Sequence, residues 1–144
     1  MKLEEIQTIW EQDCNIDKTE LGNESTKIPQ LHSKYYKIYS QERLKLKRMQ
    51  SEQKRLYKIK HEYYTGTLSE EELKEYDWDP CSLRILKNDL STYMEADKDL
   101  NQDRWKIDIQ QEKVDFVESI IKSLTNRGFQ IRAAIDWVKF TNGV

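Results

Sequence analysis

Leu86, Tyr93, Leu100, Ile107, Val114 and Ile121 recur at strict intervals of seven. In a strand, residues seven apart fall on opposite faces; in a helix they return to one face. The column therefore predicts a long helix with one sustained packing seam, in the manner of a coiled coil. Little else in the sequence competes with helix. The 144 residues include only 4 Gly and 2 Pro, too few for the turns of a β-sandwich or barrel, or for a Gly-rich phosphate loop. The expected fold class is all-α, with elongated long helices between a short N-terminal and a short C-terminal helix. Only 37% of residues are hydrophobic and 35% are charged, against about 45–50% and about 25% in an average soluble domain. A core this lean on long helices is often completed by other copies of the chain.

The chain reads as a single helical domain over 1–144. A first helix covers about 3–14, with Leu3, Ile6, Ile9 and Trp10 on one stripe. Asp17 with Glu20 has the spacing of a capping box for a brief turn, and Gly22, Asn23 and Ser25 make a polar connection. Pro29 suits the first turn of a long helix over about 29–64 that stops before Gly66. On a helical projection, Tyr35, Ile38, Leu46, Met49, Leu56, Tyr63 and Tyr64 lie within about 80° of one direction. Lys47, Arg48, Lys54, Arg55 and Lys58 lie on the other side. Glu42, Gln53 and Lys60 break the pattern by projecting onto the apolar stripe. A hinge follows over 65–81, where Ser69 and Glu72 form a second capping box and Asp79-Pro80 marks a turn and a helix start.

The third helix is expected over about 82–126. Its companion column, Leu90, Asp97, Arg104, Gln111 and Glu118, is mostly polar, as in seams where polar groups set register and oligomeric state. Arg127-Gly128-Phe129 reads as its end, with Gly128 as the left-handed residue. A last apolar helix over about 129–140 must then fold onto its own chain or onto a neighbour.

The net charge of -2 hides segregation: residues 34–60 carry ten Lys/Arg and two Asp/Glu, or +8, while residues 69–103 carry four and eleven, or -7. A basic ridge is often only a solvated helix face. Here few cations find acidic partners one turn away, and like charges left unpaired are relieved by a polyanion. Lys58-Ile59-Lys60 next to Tyr63-Tyr64 sets cations beside aromatics, which is how single strands are held through backbone charge and base stacking. Lys47, Arg48, Lys54, Arg55, Lys58, Lys60, Tyr63 and Tyr64 are the candidate DNA-binding residues, though core packing is the more common use for two tyrosines that project onto the apolar side.

No catalytic residue is expected. No phosphate-loop, dinucleotide, nucleophile-elbow or zinc-protease motif occurs. His32, His61, Cys14 and Cys81 lie too far apart in sequence to read as a metal or disulfide site, and suit a reduced cytosolic compartment. Glu70, Glu71, Glu72, Asp77 and Asp79 are a solvated hinge rather than a two-metal nuclease site, since consecutive glutamates cannot converge on one metal pair. No metal, cofactor, signal peptide or membrane span is expected.

Taken in order, Leu3-Glu4, Ile16-Asp17, Lys58-Ile59-Lys60, Tyr63-Tyr64-Thr65-Gly66, Ala96-Asp97-Lys98-Asp99 and Arg127-Gly128-Phe129 resemble the UvsY recombination mediators of T4-like bacteriophages. The resemblance covers essentially the whole chain. It implies a non-enzymatic, all-helical protein that assembles into a hexamer- or heptamer-like ring in the cytoplasm of the bacterial host. It implies binding to single-stranded DNA, to a RecA-like recombinase and to the phage single-stranded DNA-binding protein, and loading of the recombinase onto strands which that protein covers. The family's basic pair maps onto Lys58 and Lys60, with Lys60 where the family has Arg, so charge is kept and bidentate geometry is lost. The family's oligomerisation helix maps onto Phe129, Ile131, Ile135, Trp137, Val138 and Phe140. In such a ring Lys60 would turn toward a lumen or rim. A coiled-coil scaffold or assembly chaperone that binds only proteins is the rival reading.

Overall fold

The computed structural model describes residues 1–143. The chain is all-helical, with no strand among the described residues: α1 (Leu3–Asp13), α2 (Leu21–Thr26), α3 (Ile28–Tyr64), α4 (Glu70–Tyr76), α5 (Leu90–Glu95) and α6 (Lys98–Thr141). It divides into two compact units. One joins Met1–Lys45 to the chain from Gln110 on; the other is Leu46–Ile109.

In the first unit α1 packs on α3 and α6. Ile6, Tyr35, Val117, Ile120 and Leu124 form its buried cluster, and Trp10 meets Tyr35 edge-on at 5.4 Å. Most buried polar groups inside this unit are matched, the exception being Arg127 Nη1, which has no hydrogen-bond partner among the described residues. Glu42, one of the residues that broke the apolar stripe of α3, is buried. Gln110 Nε2 donates to its Oε2 at 2.7 Å and to its backbone carbonyl at 2.9 Å. Lys113 Nζ lies 3.5 Å from the same carboxylate. At the end of α1, Arg127 donates to the Asp13 carbonyl at 2.8 Å, while the Asp13 carboxylate takes Lys34 and the Tyr35 hydroxyl. Burial would raise the Asp13 pKa, but those two hydrogen bonds and the nearby cations hold it below its ordinary value.

In the second unit the buried apolar side chains are Leu46, Met94, Leu100 and Ile107. The stop before Gly66 is as expected. Gly66 has φ +73, and the Thr67 and Gly66 amides donate back to the Glu62 and Tyr63 carbonyls at 3.0 and 3.2 Å. That is the Schellman closure of a helix C-terminus. Ser69 and Glu72 cap α4 reciprocally.

Three expectations need correction. The last long helix begins at Lys98, not near 82. Asp97 accepts from the Leu100 amide at 2.9 Å, an N-cap that starts the helix there, and no helix starts at Asp79-Pro80. Leu86 lies in irregular chain and Tyr93 in α5. The helix also does not end at 126, and no separate helix spans 129–140: α6 runs through Gly128 to Thr141. Gly128 lacks the positive φ of a terminator. Gly128 is exposed, and a Cβ there would meet only Ile28 Cδ1, at 4.0 Å, so nothing about its surroundings ends the helix. The helix is held past it by a second column, Gln110, Val117, Leu124 and Ile131, all buried. This column stands three residues after the first, the natural partner spacing for a packed seam. Finally, the polar stretch around Gly22 is helix α2, and Asp17 instead closes a turn by accepting from the Thr19 amide and hydroxyl at 2.9 and 2.6 Å.

Candidate nucleic-acid interface

Within the second unit, α3 presents Lys47, Arg48, Lys54, Arg55 and Lys58 to solvent. None of the five forms an ion pair among the described residues. The buried apolar groups and the ion-paired groups of α3 lie on other faces, so these cations are left as an exposed ridge. A ridge of free cations on a rigid helix offers phosphate contacts without base readout.

Lys60, Tyr63 and Tyr64 are placed differently. Lys60 is 5% exposed. Its Nζ lies 2.7 Å from Asp99 Oδ2 and 3.2 Å from Asp97 Oδ2. The ammonium also sits 4.1 Å from the centroid of the Trp78 ring, a cation–π contact in a desolvated setting. The expected turn toward a rim or lumen is therefore not how this unit holds the side chain. A lysine on the apolar stripe is costly unless paired, and here two carboxylates pair it.

The Tyr64 hydroxyl donates to Asp97 Oδ2 at 2.5 Å, and the Tyr63 hydroxyl to the Asp79 carbonyl at 2.7 Å. Tyr63 packs edge-on against Tyr64 at 5.1 Å and against Trp78 at 5.4 Å. Burial and the bond to Asp97 push the Tyr64 phenol up. Burial would raise the Asp97 carboxyl, but the Tyr64 hydroxyl, the Leu100 amide and Lys60 outweigh it and hold the pKa below its ordinary value. Asp97 thus caps α6 with one oxygen and ties down the end of α3 with the other.

Of the candidate residues, the structure gathers five on an open face and places three in a cluster at the end of α3, with Lys60 buried and Tyr63 and Tyr64 half-buried. Sequence reasoning missed the partners Trp78, Asp97 and Asp99. The signal was available: Lys60 on an apolar stripe called for acids, and Asp97 stood at a seam position. Among the apolar residues assigned to self-association, Ile131 is buried within its own unit and Ile135 half-buried. Phe129, Trp137, Val138 and Phe140 are exposed, Phe129 and Phe140 to 75% each. No helix among the described residues is long and apolar enough to cross a membrane.

Residues 9–144 match the family model for the recombination, repair and ssDNA binding protein UvsY. The recombination protein uvsY of Enterobacteria phage T4 is 27% identical over 144 residues, covering 99% of each chain. Crystal structures of the bacteriophage T4 recombination mediator protein UvsY superpose on this fold. One has a TM-score of 0.84 at 25% identity, covering 99% of this chain and 98% of that one. A second lattice form also gives 0.84, at 24% identity, covering 97% and 99%. With a helix order, a cationic face and a whole-chain match that agree, this protein belongs to the UvsY family of recombination, repair and single-stranded DNA-binding proteins.

Proposed function

We propose that this chain is a recombination mediator that holds single-stranded DNA along the basic face of α3 and helps load a RecA-like recombinase onto strands covered by a single-stranded DNA-binding protein. The observation that carries the reading is the ridge of Lys47, Arg48, Lys54, Arg55 and Lys58, exposed and without ion-pair partners among the described residues. Those five side chains contact phosphates. Lys60, Tyr63 and Tyr64 serve the same site from inside, by fixing the end of the helix that carries it.

Self-association multiplies the ridge. The exposed Phe129, Trp137, Val138 and Phe140, on the helix that Ile131 and Ile135 hold against its own unit, supply apolar surface for closing a ring of six or seven copies. Each copy then contributes few contacts, and symmetry makes the sum strong. The protein acts by binding and by changing strand geometry, not by catalysis, in the cytoplasm of the host cell.

Sedimentation with and without oligo-dT over a salt series tests this. Neutralising about six phosphates on a single strand gives a log–log salt slope near -4. A slope near zero, or no strand binding at moderate salt, overturns the reading in favour of a scaffold that binds only proteins.

A further inference from the structure

At the C-terminal end of α3 the second unit opens into a cavity of about 750 Å³, between the helix and the irregular segment 81–90. That volume is in the range of small-ligand sites, about 300–1,000 Å³. Its charge is one-sided. Arg84 and Lys87 line it from the segment and His61 from the helix, and no carboxylate lines it. Neither Arg84 nor Lys87 has an ion-pair partner among the described residues. Yet they belong to the stretch 69–103, which has eleven acids and four basic residues. Two of those four cations are thus gathered on one concavity.

Leu83, Ile85, Leu90 and the ring of Tyr64 give the wall an apolar part, beside the hydroxyls of Thr65 and Ser82. The Tyr64 hydroxyl is engaged by Asp97, so what it offers is its ring. The cavity is also continuous with the ridge. At 3.6 residues per turn, Lys47, Lys54, Lys58, His61 and Thr65 fall within about 40° of one line along α3. The last two of that line are part of the cavity wall. Cations beside an aromatic and aliphatic wall suit a phosphate with its base, since any base has a face that packs on such a surface.

We propose that this cavity is a nucleotide subsite for single-stranded DNA, where Arg84 and Lys87 take a phosphate and the attached base packs among Tyr64, Leu83 and Ile85. The proposal rests on the strand-binding reading above and adds the place where the strand leaves the helix ridge and inserts a base.

Cys81 lines the same cavity, whereas Cys14 is exposed in the other unit, so the native protein carries its own reporter and control. Alkylation by iodoacetamide is followed at both thiols by mass spectrometry, with and without saturating oligo-dT. Oligo-dT should slow reaction at Cys81 by about tenfold and leave Cys14 unchanged; an abasic strand of equal length should leave Cys81 reactive. Arg84→Ala with Lys87→Ala should abolish the protection, weaken oligo-dT binding by about tenfold and reduce the salt slope by about 1. Cys81 reacting at its free rate while strand is bound overturns the proposal, as does equal protection by the abasic strand or unchanged affinity in the double variant. Those results leave the ridge reading standing. Absence of any oligo-dT binding by the native protein removes both.

Discussion

The Lys60 ammonium lies 3.2 Å from an Asp97 oxygen, with 6% of the lysine side chain and 4% of the aspartate side chain exposed. Removing one member of such a pair strands the other in a desolvated site, typically at a cost of about 3–5 kcal/mol. Asp97 keeps the Tyr64 hydroxyl and the Leu100 amide, so Lys60→Met should fall at the low end, about 3 kcal/mol. Urea titration checks it. A change under about 0.5 kcal/mol, the scatter of an ordinary surface substitution, would show that the pair is not held as described.

Lys54→Ala with Lys58→Ala makes the opposite prediction. Both side chains are exposed and without ion-pair partners among the described residues, so the urea midpoint should stay within experimental scatter. Strand affinity should fall at all sequences alike, with the salt slope reduced by about 1 for each engaged copy. Comparing this variant with Lys60→Met separates phosphate contact from support of the helix end. A loss of strand affinity in Lys60→Met, measured where the variant is still folded, that exceeds the loss in the Lys54/Lys58 variant would reverse those roles.

Acid should loosen both units. Asp13, Glu42 and Asp97 all have pKa values below their ordinary ones. A carboxyl with a lower pKa in the folded state adds stability above its unfolded value and loses it as pH falls through the folded one. Stability should therefore decline from near the ordinary glutamate value of 4.5 for Glu42, and from near the ordinary aspartate value of 3.8 for Asp13 and Asp97, downward. Asp97→Asn should be less stable at neutral pH and show a shallower acid limb. Unfolding midpoints collected from neutral to strongly acidic pH test the sign; an acid limb as steep as wild type would mean Asp97 does not contribute to it.

Two glycines should respond in opposite directions to the same substitution. Gly66 holds φ +73, where an L side chain costs about 1–2 kcal/mol, so Gly66→Ala should destabilise. Gly128 lies inside α6 with ordinary van der Waals room beside Ile28. Gly128→Ala should stabilise by up to about 1 kcal/mol through helix propensity. Thermal unfolding decides it, and a destabilised Gly128→Ala would restore the helix stop that the sequence pattern implies.

How much was legible follows from which interactions are local. The bounds of α3 were readable because Pro29 and Gly66 act within a few residues of themselves. The Ser69 and Glu72 box was readable for the same reason. Arg127-Gly128-Phe129 has the local form of a terminator, but α6 continues there because Arg127 and Ile131, on either side of the glycine, are both buried, Arg127 against the distant Asp13 carbonyl. The companion column was sought four residues after the first; the buried one stands three after it. The exposed cations of the candidate site were legible from charge and helical period alone. The buried place of Lys60 was not, because it finds Asp97 and Asp99 across a sequence gap that no periodicity spans. The cavity beside segment 81–90 was hidden by the expectation of helix there.

The end of α6 supplies the last prediction. Trp137 and Phe140 lie 5.8 Å apart ring to ring and are 65% and 75% exposed. Burying a large apolar side chain contributes about 1.5–3 kcal/mol, so a pair of aromatics repeated at every subunit contact would dominate assembly. Trp137→Ala with Phe140→Ala should therefore leave the chain's own helices intact by circular dichroism, since neither ring belongs to the buried cluster of its unit. Sedimentation should show a shift to smaller species. Strand affinity should fall with it, because each ridge alone offers only a few phosphate contacts. Ile131→Ala should behave differently. That side chain is 2% exposed within its own unit, and its loss should cost about 2–5 kcal/mol of stability before any effect on assembly is seen. An unchanged sedimentation coefficient in the Trp137/Phe140 variant would move the oligomer contact elsewhere on the chain.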